Sequence, residues 1–389
     1  MTFRRGVIVF ATAAIAHNIL RMTASALGQP AGIWNYLPPY HPRPQGASPG
    51  SFVLVVVLLG ILALLWRAWR WPQSDASKSL WASAVGSALV TVPVILLAIE
   101  VSTTQERTYG LALFVLVPLV AGFLSAFLLG QRMPIGVGDA MTAAALSVLL
   151  LGGALVGLAM EGVVCLLMAL PIAIPLALLG AALAYWLHRK PLVRHPATFL
   201  LIAGLTPFGA TVEHALVPPQ DWYVVTTAID IPASPARVWQ TVLQPAQLRP
   251  PSGAVFRAGV AYPLASHIEG AGLSATRYCD FSTGKLVEPV LIWEQGQRLR
   301  FRVASNPLPM QEWTPYAQIH PPHLEGFLVS RQGEFRLTPL ENGGTRLEAT
   351  TWYQHHLAPG AYWRLWSDSI IHQVHEMVLE NIRERALKN

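Results

Sequence analysis

The 389-residue chain predicts an α-helical transmembrane bundle of about seven spans over residues 1–217, followed by an α+β domain over residues 218–389. In that domain an antiparallel sheet wraps around a long C-terminal helix. Three observations carry the prediction. Ser51–Trp66, Leu80–Ile99, Tyr109–Gly130, Ala140–Met160 and Gly162–Leu187 contain no Lys, Arg, Asp or Glu. A helix of roughly 20 apolar residues crosses a bilayer, because unpaired backbone groups are not tolerated in hydrocarbon. After residue 217 charges appear every few positions and apolar residues begin to alternate with polar ones. Finally, the C-terminal elements run strand, short helix, meander, long amphipathic helix, an order that closes one core.

Charge divides at the same place. Residues 1–217 hold 12 Lys+Arg against 6 Asp+Glu, and residues 218–389 hold 15 against 15. The net charge of +6 therefore belongs to the first half, where it sits in short loops between apolar segments. That is the topogenic pattern of a membrane protein and argues against nucleic acid as a partner. The partners expected are the lipid bilayer and a hydrophobic small molecule; the sequence names no protein partner. Cys165 lies in an apolar segment and Cys279 in the polar half, so the two are not expected to pair, and no CxxC signals zinc or dithiol chemistry.

The spans fall at about 6–27, 51–70, 80–100, 109–130, 140–160, 163–187 and 197–216. Gly6–Ala16, preceded by Arg4 and Arg5, reads either as a signal peptide cleaved near Ala24-Ser25-Ala26 or as a first span. The span is preferred, since polytopic proteins seldom need a cleaved signal. Residues 28–50 are rich in Pro and Gly and read as an interfacial loop. With the N-terminus in the cytoplasm, nine Lys or Arg residues fall in inside loops and three, Arg21, Arg43 and Arg107, in outside loops. This satisfies the positive-inside rule and puts the C-terminal domain on the extracytoplasmic side. A seventh segment lying in the interface would flip it, and Thr206, Pro207, Glu213 and His214 make that segment weak. Pro118, Pro171 and Pro175 should bend their spans, and Gly153-xxx-Gly157 is a helix-contact pattern. Glu161, in the connection Met160-Glu161-Gly162, is expected to be a solvated turn residue.

In the second half, Trp222–Ile231 is β-rich. Pro235–Leu243 follows as a helix, with Ser234 at the N-cap and Pro235 at N1. Strands are expected at about 257–268, 272–282, 284–294, 297–304, 331–339 and 344–354. Arg298–Val303 alternates strictly, burying Leu299, Phe301 and Val303 and turning three arginines to water. Asn342-Gly343-Gly344 marks a hairpin. Pro359–Leu387 forms the last helix, with Trp363, Trp366, Ile370, Val374, Met377 and Ile382 as its apolar stripe. An apolar cavity is expected between helix and sheet.

This order, with Ile231-Pro-Ala-Ser-Pro-Ala-Arg-Val-Trp239, Phe335-Arg-Leu-Thr-Pro-Leu340, Gly343-Gly-Thr-Arg-Leu347 and Thr350-Thr-Trp-Tyr353, resembles the START-like helix-grip (SRPBCC) superfamily. That superfamily includes polyketide cyclase/dehydrase and lipid-transport proteins. The whole chain is similar to bacterial multi-spanning proteins that carry such a domain at the C-terminus. The resemblance implies a multi-pass protein of the bacterial cell membrane with a ligand cavity in residues 218–389. Residues 305–330 depart from it as a long Pro- and aromatic-rich insert at the cavity mouth.

Several motifs reduce to structure. Gly270-Ala-Gly272-Leu-Ser-Ala275 nearly spells a dinucleotide fingerprint, but a strand follows where the pyrophosphate needs a helix N-terminus. His375-Glu376 has no second histidine four residues on, and no Gly-x-Ser-x-Gly elbow occurs. No cofactor, metal site or catalytic residue is assigned. Asp368, His372 and His375 share a helix face that could bind metal or move protons. That face lies opposite the predicted stripe, however, so replacing His372 and His375 should leave ligand retention intact. Arg277, Asp280 and Glu288 lie on strands, and one of them pointing inward would hold a polar head group. Met310, Trp313, Tyr316 and Phe327 form either a lid or ordinary core. The ligand-binding candidates are thus Arg277, Phe301, Met310, Trp313, Tyr316, Phe327, Tyr353 and Trp363, with Tyr353 turned inward by the period from Leu347. The functional expectation is membrane-anchored binding or transfer of a lipid or isoprenoid-like molecule. The alternative is a cyclase- or dehydrase-like enzyme using His355, His372 or Asp368.

Overall fold

The structure is a computed structural model that describes residues 76–101, 110–131, 133–188, 209, 222–251, 253–314, 316, 319 and 321–388. The chain divides into two compact units, one comprising residues up to Val217 with Glu312–Pro322, the other Pro218–Gln311 with His323–Asn389.

In the first unit the described helices are α1 (Ala76–Val101), α2 (Ala112–Gly130), α3 (Val137–Gly157) and α4 (Val163–His188). Three of them, α2, α3 and α4, are long and apolar enough to cross a membrane. The sequence predicts about seven. In α1 the apolar stretch Ser79–Leu89 is shorter, and the expected spans 6–27, 51–70 and 197–216 lie outside the described residues. The start of α2 is a π-turn over Ala112–Leu116, in which the Val117 N–H reaches Ala112 O. It directly precedes Pro118, whose missing N–H such a turn accommodates. Pro171 and Pro175 lie inside α4.

The small-residue contact is not the predicted one. A Cβ at Gly153 would meet nothing within 4 Å, whereas one at Gly122 would stand 1.9 Å from Ala177 O and one at Gly180 2.0 Å from Leu119 O. Glycine there lets the backbones of α2 and α4 touch, which is how helices associate where water supplies no hydrophobic drive. Val120, Phe123, Leu124, Phe127, Ala177 and Ala181 fill the space around that contact. Ser87 donates to Ala121 O at 2.7 Å and meets Ser147 Oγ at 3.0 Å, tying α1 to α2 and α3.

Glu161 is buried rather than solvated. The turn is tighter than a two-residue connection suggests, because the amides of Met160 and Glu161 both fold back on Leu155 O. The first turn of α4 receives acceptors from far along the chain. Val163 N–H donates to Trp313 O at 2.9 Å, and Val164 N–H and Cys165 N–H donate to the Glu312 carboxylate at 3.0 and 3.1 Å. These amides are ones a helix cannot satisfy internally, and a carboxylate there also suits the helix dipole.

The second unit is an antiparallel half-barrel closed by one long helix. Its strands are β1 (Tyr223–Ile231), β2 (Ala246–Gln247), β3 (Pro263–Glu269), β4 (Thr276–Phe281), β5 (Gly284–Glu294), β6 (Arg298–Arg302), β7 (Leu328–Pro339) and β8 (Thr345–His355). They lie in the order β1-β8-β7-β6-β5-β4-β3-β2, so the first strand pairs with the last and the rest form a meander. Helix α5 (Pro235–Leu243) follows β1, and α6 (Gly360–Lys388) ends the chain. Ile231, Trp239, Leu299, Leu337, Leu347, Leu379 and Ile382 form the core between sheet and helices.

Local sequence explains most of this. At the β7–β8 turn Gly343 has a φ of 79°, and Asn342 Oδ1 accepts from Gly344 N–H at 3.0 Å. Gly270 and Gly272 likewise take positive φ, 82° and 65°, in the connection from β3 to β4, as the non-nucleotide reading requires. The predicted strand over 257–268 begins only at Pro263. A helical turn, Ala254–Arg257, and Gly259 at φ 105° precede it.

Candidate ligand-binding site

The inner face of a half-barrel is set by strand parity, and here parity places polar groups among apolar ones. Arg277 shares its face of β4 with Cys279 and Phe281, and Glu288 shares its face of β5 with Leu286 and Val290. These two strands pair in a register that sets Arg277 directly opposite Glu288. Both side chains turn inward, nearly inaccessible, and form a hydrogen-bonded ion pair. Phe301 and Phe335 flank the guanidinium, with ring centroids 5.1 and 5.6 Å away. Burial raises the Glu288 carboxyl above its ordinary range, against the pull of Arg277. Burial opposes the Arg277 charge, but Glu288 outweighs it and keeps the guanidinium ionised.

This pair borders a cavity of about 180 Å3 between the sheet and α6. Phe281, Leu286, Phe301, Phe335 and Ala349 line it from the strands, Ile370, Ile371, Val374 and Val378 from α6, and Pro307–Pro309 from the insert. His375 borders it from α6 and Thr351 from β8.

The placement of His375 overturns the expected helix geometry. The buried residues of α6 are Trp363, Ser367, His375, Leu379, Ile382 and Ala386, a stripe shifted by about one position from the predicted one. A long side chain covers surface beside its own Cα, so apolar spacing alone leaves this rotation open. His375 is buried, with Nδ1 3.0 Å from Thr227 Oγ1 and Nε2 2.8 Å from Thr351 Oγ1. His372 is exposed at the edge, its Nδ1 also against Thr227 Oγ1. Burial, reinforced by His372, lowers the His375 pKa to about 4. The ring is therefore neutral at physiological pH, each nitrogen engaged by a hydroxyl.

Of the predicted ligand residues, the structure brings Arg277 and Phe301 together on the cavity wall and leaves six elsewhere. Met310 is buried and bridges Val260. Trp313 is exposed, and Tyr316 donates to Gly157 O; both belong to the first unit. Phe327 and Trp363 pack as buried core. Tyr353 does face inward, but its hydroxyl meets Ser367 Oγ at 2.7 Å and donates to Asp368 Oδ1 at 2.6 Å, beneath α6 and away from the cavity. Arg364 holds the other oxygen of Asp368 at 2.9 Å. His355 is buried against Tyr223, ring centroids 4.8 Å apart.

On the outer face, Arg298 and Arg300 are not simply solvated. Both donate to buried Glu334, at 2.8 and 2.6 Å, with Arg336 at 3.4 Å. Burial would raise the Glu334 pKa, but these arginines overcome it and hold the carboxyl below its ordinary range. Cys279, on the cavity wall, has its thiol pushed up to about 11 by burial, against the pull of Arg277, so it is protonated at neutral pH. Glu288 and Cys279 carry a sequence signal as polar residues at apolar parity, whereas His375 is expected on the face opposite the stripe. Glu334 had no such signal, since it faces outward.

Chemically the arrangement accommodates an apolar group and offers it hydrogen-bonding side chains on the cavity wall. No protein-family model and no curated protein matches this chain. Solved structures align with its C-terminal part. XoxI from Bacillus cereus is 12% identical, with 42% of this chain and 96% of that one covered and a TM-score of 0.28. A Thalictrum norcoclaurine synthase point mutant in complex with a transition-state analogue is 9% identical, with 44% and 98% covered and a TM-score of 0.29. Ara h 8.0201 is 10% identical, with 43% and 100% covered and a TM-score of 0.27.

Proposed function

We propose that the C-terminal unit binds a hydrophobic small molecule and that the N-terminal helices hold it at a lipid bilayer, facing the extracytoplasmic side. The observation that carries this reading is the largely apolar cavity between the sheet and α6, into which the Arg277–Glu288 pair and His375 bring polar groups. Such a cavity beside a bilayer exchanges an apolar ligand without a long passage through water, where exposing it costs about 25 cal/mol per Å2. Its 180 Å3 lies below the roughly 300–1,000 Å3 of drug-sized sites and just above the roughly 150 Å3 that accommodates benzene. A ring or a short chain fits inside, so a longer lipid or isoprenoid would insert only one end. Cyclase- or dehydrase-like chemistry has less support. His355, His372 and Asp368 do not border the cavity, and His375 would have to break two hydrogen bonds to exchange a proton.

The test is mass spectrometry of small molecules retained by the full-length protein in nanodiscs, beside Phe301→Asp with its fold checked by circular dichroism. The wild type should carry a hydrophobic species that the folded variant lacks. Equal retention by both, or none by either, would contradict the binding role.

A further inference from the structure

Resting on that binding role, we infer that the Arg277–Glu288 pair is the head-group site for an uncharged ligand of single-ring size that carries a hydroxyl or carbonyl. The argument is one of charge. Three charged residues border the cavity: Arg277, Glu288 and, with its side chain among the arginines of the sheet's outer face, Glu334. The Glu334 carboxylate is taken up by Arg298, Arg300 and Arg336. The charge offered to a ligand is therefore the pair itself, which sums to zero. An anionic head group approaching Arg277 meets the Glu288 carboxylate beside it, and a cationic one approaching Glu288 meets the guanidinium. Both also lose hydration on entering a site walled by Phe301 and Phe335, a penalty that a neutral group largely escapes.

A hydroxyl suits the pair from both sides, since it accepts from the guanidinium and donates to the carboxylate. A carbonyl uses the guanidinium alone. Hydrogen bonds to charged groups are the stronger kind, about 1.5–3 kcal/mol, so the pair selects for a polar end instead of merely tolerating one. Stability does not explain the pair, because a buried ion pair replaced by apolar residues of similar volume often leaves a protein as stable or more so. Cavity size limits the inserted part of the ligand to a ring with a short tail reaching towards Ile370 and Val374.

Para-propylphenol, propylbenzene and para-propylbenzoate share one apolar body and differ in the head group. Titrated calorimetrically against the full-length protein in nanodiscs, with partition into empty nanodiscs subtracted, the phenol should bind about tenfold to a hundredfold more tightly than propylbenzene. The benzoate should bind more weakly than either. Removing only one partner strands a buried charge and risks unfolding, so the variant to use is Arg277→Met with Glu288→Leu. It should fold and lose the preference for the phenol over propylbenzene. Benzoate binding as tightly as phenol, or a double variant that keeps the phenol preference, would overturn the head-group assignment while leaving the cavity's role intact. No binding of any probe by either protein would overturn both.

Discussion

His375 shows how much one side chain's surroundings change what its identity suggests. The predicted stripe leaves it on the opposite face of the helix; in the fold it joins β1 to β8 through Thr227 and Thr351. Its pKa of about 4 lies below the ordinary imidazole value of about 6.5, so the folded state favours the neutral ring. The stability gained is complete above about pH 6.5 and is lost as pH falls from there towards 4, because the unfolded chain takes up the proton first. His355, also lowered to about 4 by burial, acts in the same direction. The melting temperature of the full-length protein should therefore fall between pH 7 and pH 4, and His375→Gln should flatten that fall. An unchanged slope in the variant would mean that another group titrates. At this scale the sequence was legible where parity rules. Arg277 and Phe301 share faces with apolar neighbours and line the cavity. Met310, Phe327, Tyr353 and Trp363 are equally apolar or aromatic, but composition does not distinguish a cavity wall from solid core.

Strands were read more accurately than helices, and the geometry explains why. A period of two allows only two faces, so Leu299 and Phe301 had one place to go; a period near 3.6 leaves the rotation of α6 uncertain by a residue. Close packing imposes a further constraint that only coordinates reveal. A Cβ at Gly333 on β7 would stand 2.3 Å from the Phe301 ring, so the aromatic wall of the cavity depends on a missing side chain across the β6–β7 register. Gly333→Ala should displace that ring and lower stability by about 1–3 kcal/mol, the usual range for overpacking. Thermal melting of the two proteins in the same detergent would measure it, and an unshifted midpoint would show that the ring has room to yield. The insert around Trp313 and Tyr316 was the least legible element, since its partners on α3 and α4 lie far back in the sequence.

For the molecule as a whole, hydropathy alone sets the division after residue 217 and gives no sign that residues 312–322 group with the first unit. It also predicted about seven spans, of which three are long and apolar enough among the described residues. Loop charges still make a sharp prediction about sidedness. Alkaline phosphatase fused after residue 217 should be active, because the enzyme matures only outside the cytoplasm. An inactive phosphatase there, with an active cytoplasmic reporter at the same site, would mean that residues 197–216 do not cross.

The Glu312 carboxylate at the start of α4 also bears on synthesis. Its partners, the amides of Val164 and Cys165, leave the ribosome almost 150 residues before it does. At about 5–20 residues per second the helix waits on the order of ten to thirty seconds for its own cap. During that interval three backbone donors at the end of an apolar hairpin must be served by water or lipid head groups. The first turn of α4 is thus completed by a segment of chain made well after the helix itself.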